Sequence, residues 1–175
     1  MSFGNAEGYL LRIEDDSISI VYCILDEGML QYYTRRGGVL LGVIALTGCT
    51  LRVSLLPYGN DDICNRFLVE SQPRVFQAQN PSSAQKIATR LQRQVRHRLI
   101  LAGASQQISD LWAVSILNWN RFSWDDPLTL CSSKDEYVTL CAMLYQRKEA
   151  STQNHLHMLE RLENSNYSFS RSFCP

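Results

Sequence analysis

The side chains able to do chemistry are few and poorly placed for it. Of the three histidines, His97 sits among arginines. His155 and His157 are two residues apart, so on a helix they face different directions and make a poor metal pair. No cysteine stands at zinc spacing beside them, and the chain has no C-x-x-C. Ser83-Ala84-Gln85-Lys86 matches S-x-x-K, but nothing nearby supplies the partners a serine nucleophile needs. Asp125-Asp126 precedes Pro127 and reads as a turn rather than a carboxylate dyad. Neither G-x-x-x-x-G-K-[ST] nor G-x-G-x-x-G occurs. The expectation is a chain that is not an enzyme and holds no metal and no cofactor.

Binding chemistry is better represented. Five cations and one histidine fall between Lys86 and Arg98 with no acid among them. On a helix, Lys86, Arg90, Arg93 and Arg96 would form a basic side. Such a surface attracts acidic lipid or an acidic partner by about 1 kcal/mol per charge near a membrane. The exposed back of a helix is also ordinarily charged. No aromatic residue interleaves with these cations, which argues against nucleic acid. Trp112, Trp119, Phe122 and Trp124 make a second group. These rings either pack the C-terminal helices or offer a partner patch, since aromatics dominate binding hot spots.

The bulk composition is that of a folded domain. Of 175 residues, 45% are hydrophobic and 19% charged, which excludes wholesale disorder. Seventeen basic and seventeen acidic side chains cancel, so the chain does not coat polyanions by charge alone. No stretch approaches the ~20 apolar residues of a membrane span. The N-terminal M-S-F-G-N-A-E-G reads as neither a secretory signal nor a myristoylation site, and the final F-C-P is not a prenylation pattern. The expected location is cytoplasmic, with peripheral membrane contact as an option. The six cysteines are then expected to be structural thiols.

The elements that must position these groups change character along the chain. Short strands are expected at Gly8–Arg12, Ser17–Leu25, Met29–Thr34, Val39–Leu46, Thr50–Leu56, Phe67–Glu70 and Val75–Gln79. Turn signals separate them at Asp26-Glu27-Gly28, Arg35-Arg36-Gly37-Gly38, Gly48, the 57–62 loop and Pro73. A helix is expected to open at Asn80-Pro81-Ser82-Ser83, with Ala84, Ile87, Ala88, Leu91, Val95 and Leu99 as its apolar stripe. Ile108, Leu111, Trp112, Ile116 and Trp119 keep helical spacing. Ser133 with Glu136 is a capping box for a further helix carrying Tyr137, Leu140, Cys141 and Leu144 on one face. Leu156, Leu159 and Leu162 extend it or form another. From Asn164 the chain is Ser-rich and expected to fray.

The runs E-G-Y-L-L-R (Glu7 to Arg12), V-Y-C-I-L (Val21 to Leu25), M-L-Q-Y-Y (Met29 to Tyr33) and I-A-L-T-G-C-T-L (Ile44 to Leu51), followed by the closing helix, resemble a pleckstrin homology (PH) domain. The resemblance covers roughly residues 7–101. It implies two nearly orthogonal sheets in a curved barrel, plugged at one end by the helix. Family members usually carry a Trp in that helix, and Ile87 takes the position here. Phosphoinositide-binding members resemble one another in a basic residue ending the first strand and cations alternating on the second. Arg12 fits the first position, whereas Ser19 and Val21 do not fit the second. The turn between is acidic, Glu14-Asp15-Asp16, and like charge disfavours an anionic headgroup. Arg35, Arg36 and Arg74 lie in turns expected at the same mouth, and Tyr33 could supply a hydroxyl.

The fold class expected is therefore mainly β with α. It is a PH-like seven-stranded barrel or sandwich over residues 1–101, capped by a C-terminal helix. An α-helical extension over 102–163 and a disordered tail over 164–175 follow. The function expected is non-catalytic recruitment or scaffolding at a membrane surface, through weak contact of Arg12, Tyr33, Arg35, Arg36 and Arg74 with acidic lipid or phosphoinositide. The rival is a pure protein–protein interaction module with a degenerate lipid site.

Overall fold

The run Ala6–Ile13 sets the architecture, because it is apolar on both of its faces. In the computed structural model, which describes residues 6–15, 17–57, 63–74, 96–121, 129–130 and 134–169, this run is strand β1. Leu10 and Leu11 are adjacent and both fully buried, so β1 is covered on two sides. The strands that follow are β2 (Ile18–Asp26), β3 (Met29–Tyr33), β4 (Leu40–Ala45), β5 (Cys49–Leu55), β6 (Arg66–Pro73) and β7 (His97–Ala102). All seven pair antiparallel in the order β4-β3-β2-β1-β7-β6-β5. Helix α1 (Gln106–Leu117) follows β7, then a 3-10 turn (Trp119–Arg121), the two-residue strand β8 (Thr129–Leu130) and helix α2 (Lys134–Phe169). β8 lies parallel to Ala6 and Glu7 of β1.

Local chemistry explains the hairpin between β2 and β3. Glu27 and Gly28 both take positive φ, 48° and 72°, which matches a two-residue turn to the twist of its strands. Gly28 is needed for a second reason. A Cβ there would lie 2.0 Å from the Thr47 hydroxyl and 2.7 Å from the Trp119 ring.

One face of the sheet curls around the main core. Leu10, Val21, Leu30, Ile44, Phe67, Val69, Leu101, Trp112 and Ile116 belong to one buried cluster. The Ser71 hydroxyl of β6 donates to the Ala45 carbonyl of β4 at 2.5 Å, which joins two strands far apart in the sheet order. Helix α1 is fastened over this core by its first turn. The Ser105 side chain caps it by accepting the Ile108 N–H at 3.3 Å. Ser109 donates to the Asn65 carbonyl at 2.6 Å and accepts the Gly103 N–H at 3.0 Å. The other sheet face carries a second cluster. There Leu11, Ile13 and Ala102 lie with Leu140 of α2, and Ile18, Ile20, Ile100, Met143 and Leu144 pack against them.

Several expectations need correction. His97–Ala102 was expected to close a helix and is a strand. Leu99 and Leu101 fit a period of two, but Leu99 also follows Val95 by four, and a short apolar run satisfies both periods. Pro73 is the last residue of β6, and the expected strand Val75–Gln79 and the expected helix from Asn80 through Val95 lie outside the described residues. The helix that follows the last strand is α1, and its fully buried Trp112 lies in the main core, whereas Ile87 is outside the described residues. The boundary expected at residue 101 therefore cuts a strand from the helix that shares its core. The second expected helix and its extension are one helix of 36 residues, about 54 Å long. It runs through Phe169, past the 164 boundary drawn for a disordered tail.

Trp112→Ala is expected to destabilise the fold by about 3–5 kcal/mol and Leu140→Ala by about 2–5 kcal/mol, from lost burial and the cavity left behind. Urea unfolding of the whole chain reads both. An unchanged midpoint for either variant removes that side chain from the core.

Candidate functional site

Alternation along β1 brings Arg12 to the rim of the main core. Leu10 and Arg12 share a face, so Arg12 is the last inward residue before the strand leaves the sheet. It stands opposite Ser19 of β2 and Leu101 of β7. A pocket of about 410 Å³ opens there, lined by Arg12 to Asp15, Tyr32, Val43, Ile44 and His97 to Ile100.

Arg12 is already engaged. Its guanidinium lies 4.9 Å from the centroid of the Tyr32 ring and forms an ion pair with the Glu14 carboxylate. Glu14 also accepts from the Ser17 hydroxyl at 3.2 Å, and its N–H bonds the Ser17 carbonyl at 2.8 Å. The β1–β2 turn thus folds an acid back onto the cation. The Nε of Arg12 is buried and makes no hydrogen bond among the described residues. Tyr32 can lie over this site because residue 42 is glycine. A Cβ at Gly42 would sit 2.1 Å from the Tyr32 hydroxyl oxygen.

Arg36 belongs to the opposite face. It reaches Glu7 at 3.2 Å, its N–H points at the Tyr9 hydroxyl at 3.4 Å, and its guanidinium is 6.0 Å from the Tyr22 centroid. Glu7 and Tyr9 alternate with Arg12 along β1, so they project from the outer side. Tyr9 is edge-on to Tyr22 and to Tyr137 of α2, with both pairs of centroids 4.8 Å apart. Burial, and then the neighbouring Glu7 carboxylate, push the Tyr22 phenol up from 10.0 to about 12. Burial likewise pushes up the Cys23 thiol.

The remaining expected site residues scatter. Tyr33 donates its hydroxyl to Gln31 at 2.5 Å. Arg35 is exposed in the β3–β4 turn. The N–H of Arg74 bonds the Gly48 carbonyl at 2.9 Å, beside the β4–β5 turn. Arg35 and Arg74 therefore stand at opposite ends of β4, some 20 Å apart at ordinary strand rise. The arginines expected at one mouth do not converge.

Of the basic surface, Lys86, Arg90 and Arg93 lie outside the described residues. Arg96 bridges Glu70 at 2.7 Å. Glu70 is buried between Arg52 and Arg98 in the ladders of β5, β6 and β7, so this cation completes a cross-strand charge pattern. In the aromatic group, Trp112 is core and not a partner surface. Trp119 is half-buried against the same core, and Phe122 and Trp124 lie outside the described residues. Sequence reasoning missed His97 and Arg98 as pocket-lining residues because it placed them on a helix. The signal was the two-residue period of the L-I-L-A run behind them. Among the described residues, no group of three His, Cys, Asp or Glu side chains is arranged to hold a metal, and no helix is long and apolar enough to cross a membrane.

No protein-family model matches the chain, and no curated protein matches it.

The raised Tyr22 phenol has a readable consequence. The neutral form is favoured in the fold, so its contribution to stability is complete below pH 10.0 and is lost as pH rises towards about 12. Tyr22→Phe is expected to flatten the stability profile in that window. It should also remove a late phenolate step, near pH 12, from an absorbance titration of the eight tyrosines. An unchanged titration would mean that Tyr22 ionises with the others.

Proposed function

We propose that the chain is a non-catalytic, PH-like binding module that works through protein contact, with its anion-binding mouth occupied by its own carboxylates. The strand order supports the PH-like part, together with the helix that follows the last strand and the tryptophan buried in it. A tryptophan buried in the helix after the last strand is what such a fold would call for, and Trp112 supports the reading on that ground.

The observation that carries the functional part is the pairing of Arg12 with Glu14 beside Tyr32. A phosphate entering the mouth must displace Glu14 and face Asp15. Ser19, across the ladder from Arg12, brings no second cation. Arg36 is held by Glu7 on the other face. Bidentate capture of a headgroup needs cations that converge, and these diverge.

A second reading has one observation behind it. Arg35 is exposed, and the exposed aliphatic residues Val39, Leu40 and Leu41 follow it closely. A basic turn beside apolar side chains suits weak, unselective contact with an acidic membrane.

Flotation with neutral vesicles, alone or with phosphatidylserine or single phosphoinositides, tests the proposal. No headgroup-selective binding is expected at physiological salt, and any low-salt binding should vanish as salt rises. Glu14→Gln is expected to raise affinity for a soluble inositol phosphate by roughly tenfold, by freeing Arg12. Selective wild-type binding that survives physiological salt overturns the proposal.

A further inference from the structure

The two edges of the sheet are unlike. An edge strand presents unpaired N–H and C=O groups, and proteins ordinarily guard it with charge, proline or a covering segment. β5 carries Arg52 and two hydroxyl residues, Thr50 and Ser54. β4 reads L-L-G-V-I-A and has no charge, no proline and no polar side chain. Among the described residues it pairs with β3 alone. Val39 is 70% exposed, Leu40 48%, Leu41 43% and Val43 40%. At one end Thr34 bonds both the N–H and the C=O of Val39, and at the other the Ala45 carbonyl is tied to Ser71, so the open stretch is Leu40 to Val43, with a bulge at Leu41.

The open groups can be assigned. The Leu46 N–H bonds the Gly28 carbonyl, and bonding alternates along an antiparallel ladder. Residues 44 and 42 are then bonded to β3, and Val43 turns its N–H and C=O to the free side. Its side chain lies on the outer face with its ladder partner Gln31, as Leu40 does with Tyr33.

The charges flanking this edge are opposite in sign. The turn before β4 holds the exposed Arg35, beside Arg36, which is paired with Glu7. At the other end of β4, Ala45 lies opposite Met29, next to the turn that holds the exposed Glu27. A second copy laid antiparallel along the edge brings each arginine turn to the other's Glu27 turn. The match occurs twice about one two-fold axis, as an isologous contact requires. An unrelated strand would have to bring its own acids in that register, whereas this chain already has them.

We infer that β4 is a homodimer edge, at which two copies pair antiparallel and join their sheets into one. The inference rests on the reading that the chain works through protein contact, and the two can fail separately. Because strands this short bury little area, the dissociation constant is expected at roughly tens of micromolar.

Sedimentation of the whole chain across a concentration series tests it. A reversible rise towards twice the monomer mass is expected. Val43→Lys is expected to hold the chain monomeric over the same range with its unfolding midpoint unchanged. Glu27→Lys and Arg35→Glu should each weaken the dimer several-fold, and the double variant should recover most of that loss. The inference is overturned by a wild-type monomer at about ten times the expected constant, by a dimer indifferent to Val43→Lys, or by a double variant no better than either single one. A monomer that floats with acidic vesicles through Val43 and Arg35 assigns the edge to the membrane instead and also overturns it. A dimer that binds a phosphoinositide selectively at physiological salt leaves the inference standing and removes only the reading beneath it.

Discussion

Burial of β1 on both faces is the constraint from which the rest of the structure follows. A strand with Leu10 pointing one way and Leu11 the other needs two covers. The curled sheet with α1 supplies one, through Trp112 and Ile116. Helix α2 supplies the other, through Leu140, Met143 and Leu144. β1 is also enclosed sideways, with β2 on one edge and β7 and β8 sharing the other. Each neighbour is therefore placed by its contact with one eight-residue segment.

The same constraint disposes of the charges. Residues at even positions of β1 face the core and those at odd positions face α2, so Arg12 and Glu7 cannot share a site. Each finds its counter-ion locally, Arg12 in Glu14 and Glu7 in Arg36. Glu70 does so in Arg96. A partly buried charge left alone is costly, and these pairings meet that cost inside the chain. The sheet that results has its cations distributed over two faces and both ends of β4, so they do not converge on one anion.

Much of the β architecture was legible because its signals are local. The turns at Asp26-Glu27-Gly28 and Arg35 to Gly38, and the alternating runs around them, lie within a residue or two of where strands β1 to β5 begin and end. What was not legible depended on partners distant in sequence. His97–Ala102 is a strand because β1 and β6 flank it, and a six-residue apolar run does not declare its period alone. Trp112 was legible as a helical aromatic able to pack as core, but not as the residue of the helix that follows the last strand, since nothing nearby says which helix that is. At the site, the position of Arg12 at the end of β1 was legible, and it lines the pocket there. Its engagement with Glu14 was foreshadowed by the acidic turn, but the separation of Arg36 and Arg74 from it required the sheet's register.

The pairing of Leu11 with Ala102 spans ninety-one positions of chain. On the ribosome, β1 emerges well before β7, and it gains this second edge only after β7 has been made. It gains its core cover only with α1, and its outer cover later still with α2. Contacts this distant in sequence slow folding, because loop closure must precede them. Until then a strand that is apolar on both faces stays open to solvent. Between the making of β1 and the making of α2, the two apolar faces of this strand lack their covers, so their demand for shielding falls during synthesis rather than in the finished protein.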